Sequence, residues 1–295
     1  MRKLRIQTRA ALPMLPPLPG WIMSGPAETF EAAAFRSGAV LAHLTFVTTA
    51  ADLPQTLWRD RLALAAAEVC VGYSGRREGA GALRDAVHLT KEGDDPGPAG
   101  RIFRQWTRAV ARPISVSNLG SALEGVAPER IALCLDTTGP TPVDRAAQVI
   151  EAVLADSPRG ETAALILADA ALAKSLGQDH VLPLLSLALK ARDLRLRGDE
   201  LRLACHRAVG VGVLQALPLA GELSRAAVRL RAVVPKLRAK GAARAVDLIL
   251  SRDALVPSAL EFMSDRAARR LCERLVGLGV VRELTGRDTF RLYGV

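Results

Sequence analysis

Residues 264–293 of this chain read SDRAARRLCERLVGLGVVRELTGRDTFRLY, and this stretch decides the fold expected for the C-terminus. Ser264 is a good N-cap, and three leucines follow it at i, i+4 and i+7 spacing, which predicts a helix that buries one apolar stripe. These are Leu271, Leu275 and Leu278, with Ala267 or Ala268 completing the stripe. Glycines end the helix near residue 278. Two short strands, at residues 280–284 and 289–293, then follow across a tight turn.

The residues in front of this stretch complete an order of elements that is typical of one DNA-binding fold. Residues 236–241 read as a basic linker, and a helix is predicted at residues 242–250. A short helix follows at residues 257–261, where Pro257 suits the first helical position. Helix, short helix, turn, basic helix and β-hairpin is the order of a winged helix-turn-helix. We therefore expect residues 236–295 to form such a module.

Basic side chains cover the predicted helix and hairpin. An α-helix fills the major groove of duplex DNA, where arginine reads guanine edges or neutralises phosphates. A hairpin tipped with arginine can touch the neighbouring backbone or minor groove. The sequence predicts that double-stranded DNA is contacted by Arg266, Arg269, Arg270 and Arg274 of the helix, Arg287 of the turn, and Lys236, Arg238 and Lys240 of the linker.

Charge is distributed unevenly along the chain. Residues 1–189 carry 19 Lys+Arg and 19 Asp+Glu, a net charge of zero, whereas residues 190–295 carry 21 Lys+Arg and 11 Asp+Glu, a net charge of +10. The C-terminal third therefore holds all of the net positive charge, which indicates a polyanionic partner at one end of the molecule. We expect a DNA-binding regulator. The alternative is a basic tail whose arginine face is only solvated and whose hairpin only packs.

The composition indicates a mainly α-helical protein. Of the 295 residues, 49% are hydrophobic but only 4% are aromatic, and this balance favours packed Ala/Leu helices over a β-sandwich. We expect a multi-helical body at residues 26–235, behind a basic, proline-rich arm at residues 1–25. The predicted body helices cover residues 26–47, 53–71, 79–89, 99–110, 115–123, 128–135, 143–154, 161–176 and 192–235. The apolar run 181–189 is either a buried helix or a buried strand, because periodicity does not separate the two.

Several functional classes find no support in the sequence. The longest apolar runs are 13 and 14 residues, shorter than the roughly 20 that a membrane span needs. Prolines break any signal-peptide helix in the arm. The four cysteines form no CxxC pair, so we expect buried free thiols and a cytoplasmic protein. Phosphate-binding and nucleophile-elbow motifs are absent from the sequence, and we expect no metal, no cofactor and no catalytic residues.

Some residues of the body nevertheless leave alternatives open. Asp169 lies inside an apolar helix, where a carboxylate must be paired, protonated or at a cleft, and we expect Arg202 or Arg207 as its partner. The charged run at residues 192–202 is typical of a salt-bridged helix surface. An enzyme with a site around Asp169 and this run is one alternative. A helical protein-interaction module is the other.

The tryptophans and the oligomeric state complete these expectations. Trp58 and Trp106 are expected in the core, whereas Trp21, beside the proline-rich arm, is a candidate docking contact. Many helix-turn-helix proteins bind DNA as dimers, so we also consider a homodimer.

Three segments of the chain resemble an uncharacterised bacterial family, the domain of unknown function 1403. They read ETAALILAD at residues 161–169, DELRLACHRA at residues 199–208 and RELTGRDTFRLYG at residues 282–294. The resemblance covers nearly the whole chain and implies no mechanism. The tail alone also resembles the C-terminal winged helix of proteins that carry a Fic domain, in which a TGR turn joins the wing strands. The Fic catalytic motif is absent from this sequence, so the resemblance implies no nucleotide transfer.

Overall fold

The computed structural model describes residues 18–23, 29–91, 93–287 and 289–295, and the fold is mainly α-helical, as predicted. Twelve α-helices lie in the described residues. They are α1 (Gly20–Met23), α2 (Phe30–Thr48), α3 (Gln55–Tyr73), α4 (Ala80–His88), α5 (Gly97–Ala111), α6 (Val116–Ala122), α7 (Pro128–Leu135), α8 (Pro142–Asp156), α9 (Glu161–Ser175), α10 (Gly198–Val233), α11 (Ala242–Ile249) and α12 (Asp265–Gly277). Strands β1 (Arg282–Glu283) and β2 (Tyr293–Gly294) form a two-stranded antiparallel sheet.

Most predicted helix boundaries agree with the structure within a few residues because the caps are encoded locally. The side chains of Thr29, Ser115, Thr141 and Ser264 each accept a hydrogen bond from a main-chain N–H in the first turn of the following helix. The first predicted helix was expected from residue 26, and residues 26–28 lie outside the described residues. Most of the predicted arm, residues 1–17 and 24–25, also lies outside them.

The core is built from three helix pairs, α2 with α10, α3 with α5, and α8 with α9. Trp58 and Trp106 are completely buried in it, which confirms the prediction for both. The indole N–H of Trp58 donates to the carbonyl oxygen of Ala216 at 3.0 Å, and that of Trp106 contacts Cys70 Sγ at 3.4 Å. All four cysteines are free and buried, as predicted.

The apolar run at residues 181–189 is neither the helix nor the strand that was expected. It forms a buried irregular segment whose main-chain N–H groups need partners other than those of regular structure. Asp169 supplies them. Its carboxylate accepts hydrogen bonds from the N–H groups of Leu184 (3.1 Å), Leu185 (2.9 Å) and Ser186 (3.3 Å), and from the Ser186 hydroxyl (2.7 Å).

The predicted arginine partner of Asp169 was therefore wrong. Arg202 lies on Asp144 and Asp199 instead, at 2.7 Å from each. Arg207 is exposed at the surface of α10. Three adjacent N–H groups and one hydroxyl donate hydrogen bonds to the two carboxylate oxygens of Asp169, so this buried carboxylate needs no arginine partner. The same hydrogen bonds stabilise the turn at residues 184–186.

Helix α10 is the longest element, at 36 residues, and contains Pro218. At Gly212 it passes so close to the buried segment that an added Cβ atom would lie 2.2 Å from the carbonyl oxygen of Leu184. The stretch Gly198–Lys236 is long and apolar enough to cross a membrane by length and composition, with 44% of its most apolar window buried. This is a weak indication of a span, since α10 packs against α2 and α8 as a core helix does.

The C-terminal elements follow the predicted order but are shorter. The expected helix at residues 257–261 is one turn of 3-10 helix at Pro257–Ala259. The strands were predicted over five residues each and span two. Phe290 adopts a φ of 59°, so the chain bends there, and the hairpin ladder ends at the hydrogen bond from Leu284 N–H to the Leu292 carbonyl.

Candidate nucleic-acid interface

Helix α12 divides its side chains cleanly between the core and solvent. Ala268, Leu271, Cys272 and Leu275 are buried, whereas the expected inward residue Leu278 is only half-buried and Ala268 rather than Ala267 completes the stripe. All four predicted arginines of this helix, Arg266, Arg269, Arg270 and Arg274, are exposed. At about 100° per residue they share an arc of roughly 140°, and they span about 12 Å along the axis. The structure thus brings these four residues together on one face.

One of these arginines has a local acidic partner. Arg269 Nη2 lies 2.8 Å from Asp265 Oδ2, one helical turn earlier, and the two side chains are 68% and 59% exposed. An ion pair this exposed contributes well under 1 kcal/mol. It therefore does not prevent Arg269 from meeting a phosphate.

The linker lysines and arginine lie close to the start of α12. Lys236, Arg238 and Lys240 are all exposed. Gly241, which follows them with a φ of 90°, packs against the ring of Phe262, where an added Cβ would meet ring atoms at 3.0 Å. Since Phe262 lies two residues before the N-cap of α12, the linker and the N-terminal end of that helix form one basic region.

Two further arginines of this region were missed from the sequence. Arg244 on α11 stacks over the Phe262 ring at 4.4 Å from its centroid, and exposed Arg252 lines the same open cleft of about 440 Å³. Asp247 and Glu261 also line that cleft. The exposure of Arg244 could have been predicted from the helical periodicity of α11, because Arg244 lies outside its buried stripe of Ala242, Ala245, Val246 and Ile249.

The hairpin places Arg287 differently from the arginines of α12. Its guanidinium pairs with Asp85 on α4 at 2.5 Å, and the two side chains are 47% and 21% exposed. Beyond it, Phe290 is 44% exposed and lines a cleft of about 420 Å³ together with Arg269 and Glu273 of α12. The tip of the hairpin is therefore held against the helical body.

A buried ion cluster joins the C-terminal elements to the body. Arg84 of α4 donates from Nε and Nη2 to the two carboxylate oxygens of Asp253, at 2.6 and 2.9 Å. Arg61 of α3 lies 2.5 Å from the same carboxylate and donates to the carbonyl oxygen of Val295 at 2.8 Å. Two residues after Asp253, the main chain of Leu255 both donates a hydrogen bond to and accepts one from the main chain of Tyr293. The C-terminal region is thus fixed to α3 and α4 at its centre and at its end.

Asp60 of α3 lies beside this cluster. Burial, reinforced by the negative charge of Asp253, raises the pKa of Asp60 to about 7, although the main chain of Asp253 and the charges of Arg59 and Arg252 oppose the shift. Burial also lowers the pKa of half-buried His88 on α4. The junction therefore contains one carboxyl group, that of Asp60, whose pKa lies near neutral pH.

A second polar cluster, which was not predicted from the sequence, joins α2, α8 and α10. Ser37 Oγ and His206 Nδ1 lie 2.7 Å apart, and His206 Nε2 lies 4.0 Å from Asp144 Oδ1. These residue types occur in hydrolase triads, but Ser37 is 1%, Asp144 2% and His206 3% exposed. Ser37 Oγ also donates to the carbonyl oxygen of Ala34 at 2.9 Å. His206 Nε2 makes no hydrogen bond in the part of the chain that the structure describes, and we interpret the buried contact between Ser37 and His206 as part of the core.

The residues of the enzymatic alternative do not form an open site. Asp169 is fully buried, and desolvation raises its pKa to about 6 against the hydrogen bonds from residues 184–186. The charged run contains the surface pairs Arg192–Asp193 and Arg202–Asp199, as predicted. Within the described residues, no group of three His, Cys, Asp or Glu side chains is placed to hold a metal ion.

Comparison with known protein families identifies the family to which this chain belongs. Residues 6–295 match the family described as a protein of unknown function (DUF1403), and the chain belongs to that family. This confirms the resemblance carried by the three sequence segments. Among the curated proteins, none matches this chain.

Proposed function

We propose that this protein binds double-stranded DNA through a C-terminal winged helix-turn-helix and acts as a regulator. The observation that carries the proposal is the face of α12, where four arginines are exposed while the opposite stripe is buried. An arginine face that is open to solvent is available to phosphates and base edges, as DNA binding requires. Lys236, Arg238 and Lys240 extend the same basic region, and Arg244 and Arg252 add two further cations to it.

The pairing of the short strands supports the same proposal. In a winged helix, a short strand between the first and second helices joins the sheet formed by the hairpin. Here Leu255, between α11 and the 3-10 turn at Pro257–Ala259, exchanges two main-chain hydrogen bonds with Tyr293 of β2, at 2.8 and 2.9 Å. We therefore propose α11, the 3-10 turn and α12 as the three helical elements, with α12 as the helix that enters the major groove.

The individual residues receive distinct roles in this proposal. Arg266, Arg269, Arg270 and Arg274 contact base edges and phosphates, and the linker cations contact phosphates. Arg287 reaches DNA only by leaving Asp85. That ion pair is partly exposed and contributes about 1 kcal/mol or less, so a phosphate can replace the carboxylate.

The remaining parts of the proposal follow from this role. We propose a division into an arm at residues 1–25, a helical body at residues 26–235 and the DNA-binding module, with no catalytic function. The buried free thiols are compatible with a reducing cytoplasm. A protein-interaction role for the body is a second candidate, because α2 exposes aromatic side chains.

The experiment uses the full chain, because deleting the tail would leave Arg61 and Arg84 without the carboxylate that pairs them. Binding to a labelled random-sequence duplex is measured for the wild type and for Arg266→Gln/Arg269→Gln/Arg270→Gln/Arg274→Gln. The matched control removes four exposed arginines of the body, Arg77→Gln/Arg112→Gln/Arg159→Gln/Arg195→Gln. The proposal expects a roughly 100-fold loss of affinity for the α12 variant and a loss of less than about fivefold for the control. Equal losses would overturn it.

A further inference from the structure

Helix α2 exposes an apolar stripe on the side that faces away from the core. Its inward residues, which include Val40, Leu41 and Leu44, are buried. On the outward side, Phe35 is 69% and Phe46 is 62% exposed. The stripe between and around these two phenylalanines consists of Phe35, Gly38, Ala39, Ala42, His43 and Phe46, which recur at i, i+3, i+4, i+7, i+8 and i+11.

One neighbouring ring enlarges the stripe, and one ring contact lies within it. Trp21 of α1 stacks on Phe35, with ring centroids 5.4 Å apart, and is itself 48% exposed. The ring of His43 meets Phe46 edge-on at 6.4 Å. An isolated exposed phenylalanine needs no explanation, but two aromatic ring pairs at the two ends of one exposed apolar helix face indicate an interaction surface.

Four residues of this stripe, Phe35, Ala39, Ala42 and Phe46, keep their order of size when it is read in either direction, whereas Gly38 and His43 exchange a small residue for a large one. If two copies of α2 lie antiparallel, Phe35 of one copy faces Phe46 of the other, Ala39 faces Ala42, and Gly38 faces His43. The small residues at the centre let the two backbones approach to about 8 Å, while the phenylalanines close both ends. Each copy then supplies the same patch, as a two-fold interface requires.

The size of the patch suits such an interface. An aromatic side chain has about 150–250 Å² of surface, so the exposed parts of Trp21, Phe35 and Phe46 provide roughly 350 Å² on each copy. A standard interface buries about 800 Å² on each partner. Three aromatic residues therefore supply nearly half of it, and the stripe itself contains no carboxylate or arginine whose burial would oppose association.

From this pattern we infer that the protein forms a two-fold dimer in which the outward faces of two α2 helices pack antiparallel, with a second copy of this chain as the occupant. This inference goes beyond the proposed DNA-binding function and does not depend on it. The interface lies on α1 and α2, whereas the proposed DNA contacts lie on α12 and the linker.

The test measures association without DNA, by sedimentation or light scattering over a range of protein concentrations. Because Phe35 faces Phe46 in the antiparallel arrangement, Phe35→Glu or Phe46→Lys alone should weaken dimerisation at least tenfold. The double variant Phe35→Glu/Phe46→Lys brings opposite charges together twice and should regain most of the affinity. A parallel arrangement would place like charges together and give no recovery.

The control variant is Leu133→Glu, which changes an equally exposed hydrophobic residue (65%) on α7. It should leave the dimer unchanged. A wild-type protein that is monomeric at every concentration overturns the inference. In that case the outward face of α2 is not covered by a second copy, and the arm of the same chain or another protein is its occupant. A dimer that survives both single substitutions overturns it as well. Circular dichroism of each variant establishes that the fold is retained.

Discussion

Arg84 of α4 and Asp253, which are 169 residues apart in the sequence, form a two-point ion pair with both side chains buried. The pair lies between the helical body and the C-terminal elements, and Arg61 joins it from α3. With two guanidinium groups on one carboxylate, a rotation of the C-terminal region against the body would separate these charges. The elements that carry the proposed DNA-binding surface are therefore attached to α3 and α4 of the helical body by these ion pairs.

Asp253→Asn should destabilise the whole protein, because it leaves buried Arg84 and partly buried Arg61 without their counter-charge. The expected loss in the free energy of unfolding is about 3–5 kcal/mol, measured by urea denaturation. Asp95→Asn is the matched control, since its pair with Arg101 is more than half exposed at both side chains. That change should cost less than about 1 kcal/mol. Similar costs for the two variants would show that the junction is not the structural centre described above.

Asp60→Asn should stabilise the protein increasingly as the pH rises from about 4 to 7. In the unfolded chain an aspartate ionises near pH 3.9, whereas burial and Asp253 hold the pKa of Asp60 in the native protein at about 7. Between these values the unfolded state releases the proton and the native state keeps it, so native stability falls with pH. Asparagine does not titrate and removes this loss.

The measurement is the free energy of unfolding of both proteins at several pH values. The difference in favour of Asp60→Asn should grow by an amount on the order of 2–4 kcal/mol between pH 4 and 7, and then stay constant. A difference that is independent of pH would mean that Asp60 is ionised throughout this range.

Gly212→Ala and Gly210→Ala should change stability in opposite directions, although both lie inside α10. The added methyl group at residue 212 would lie 2.2 Å from the Leu184 carbonyl oxygen, whereas nothing lies within 4 Å of the corresponding position at residue 210. We expect a loss of about 2–3 kcal/mol for the first and a gain of up to about 1 kcal/mol for the second. Thermal denaturation of the two variants checks this, and equal effects would contradict the close packing at Gly212.

The helices could be predicted from the sequence because their determinants are local. Thr141 and Ser264 are followed by apolar residues at helical spacing, and α8 and α12 begin there. The division of α12 into a buried stripe and an arginine face could be predicted for the same reason.

What could not be predicted depends on contacts between distant residues. Nothing around Asp169 indicates that the N–H groups of residues 184–186 will satisfy it, nor does the apolar run that contains them reveal its irregular path. The pairing of Arg287 with Asp85 joins residues 202 apart. These ion pairs and hydrogen bonds determine the orientation of the C-terminal region relative to the body. They cannot be predicted from local sequence patterns, because the residues that form them are far apart in the sequence.

The dependence of DNA affinity on salt tests the central claim most directly. Removing one arginine–phosphate interaction should reduce the slope of log K against log salt by about 0.9, so replacing Arg266, Arg269, Arg270 and Arg274 by glutamine should flatten the slope by roughly 2–4. Replacing Arg77, Arg112, Arg159 and Arg195 should leave the slope within about 0.5 of the wild-type value. An unchanged slope for the α12 variant would contradict the assignment of this helix to DNA.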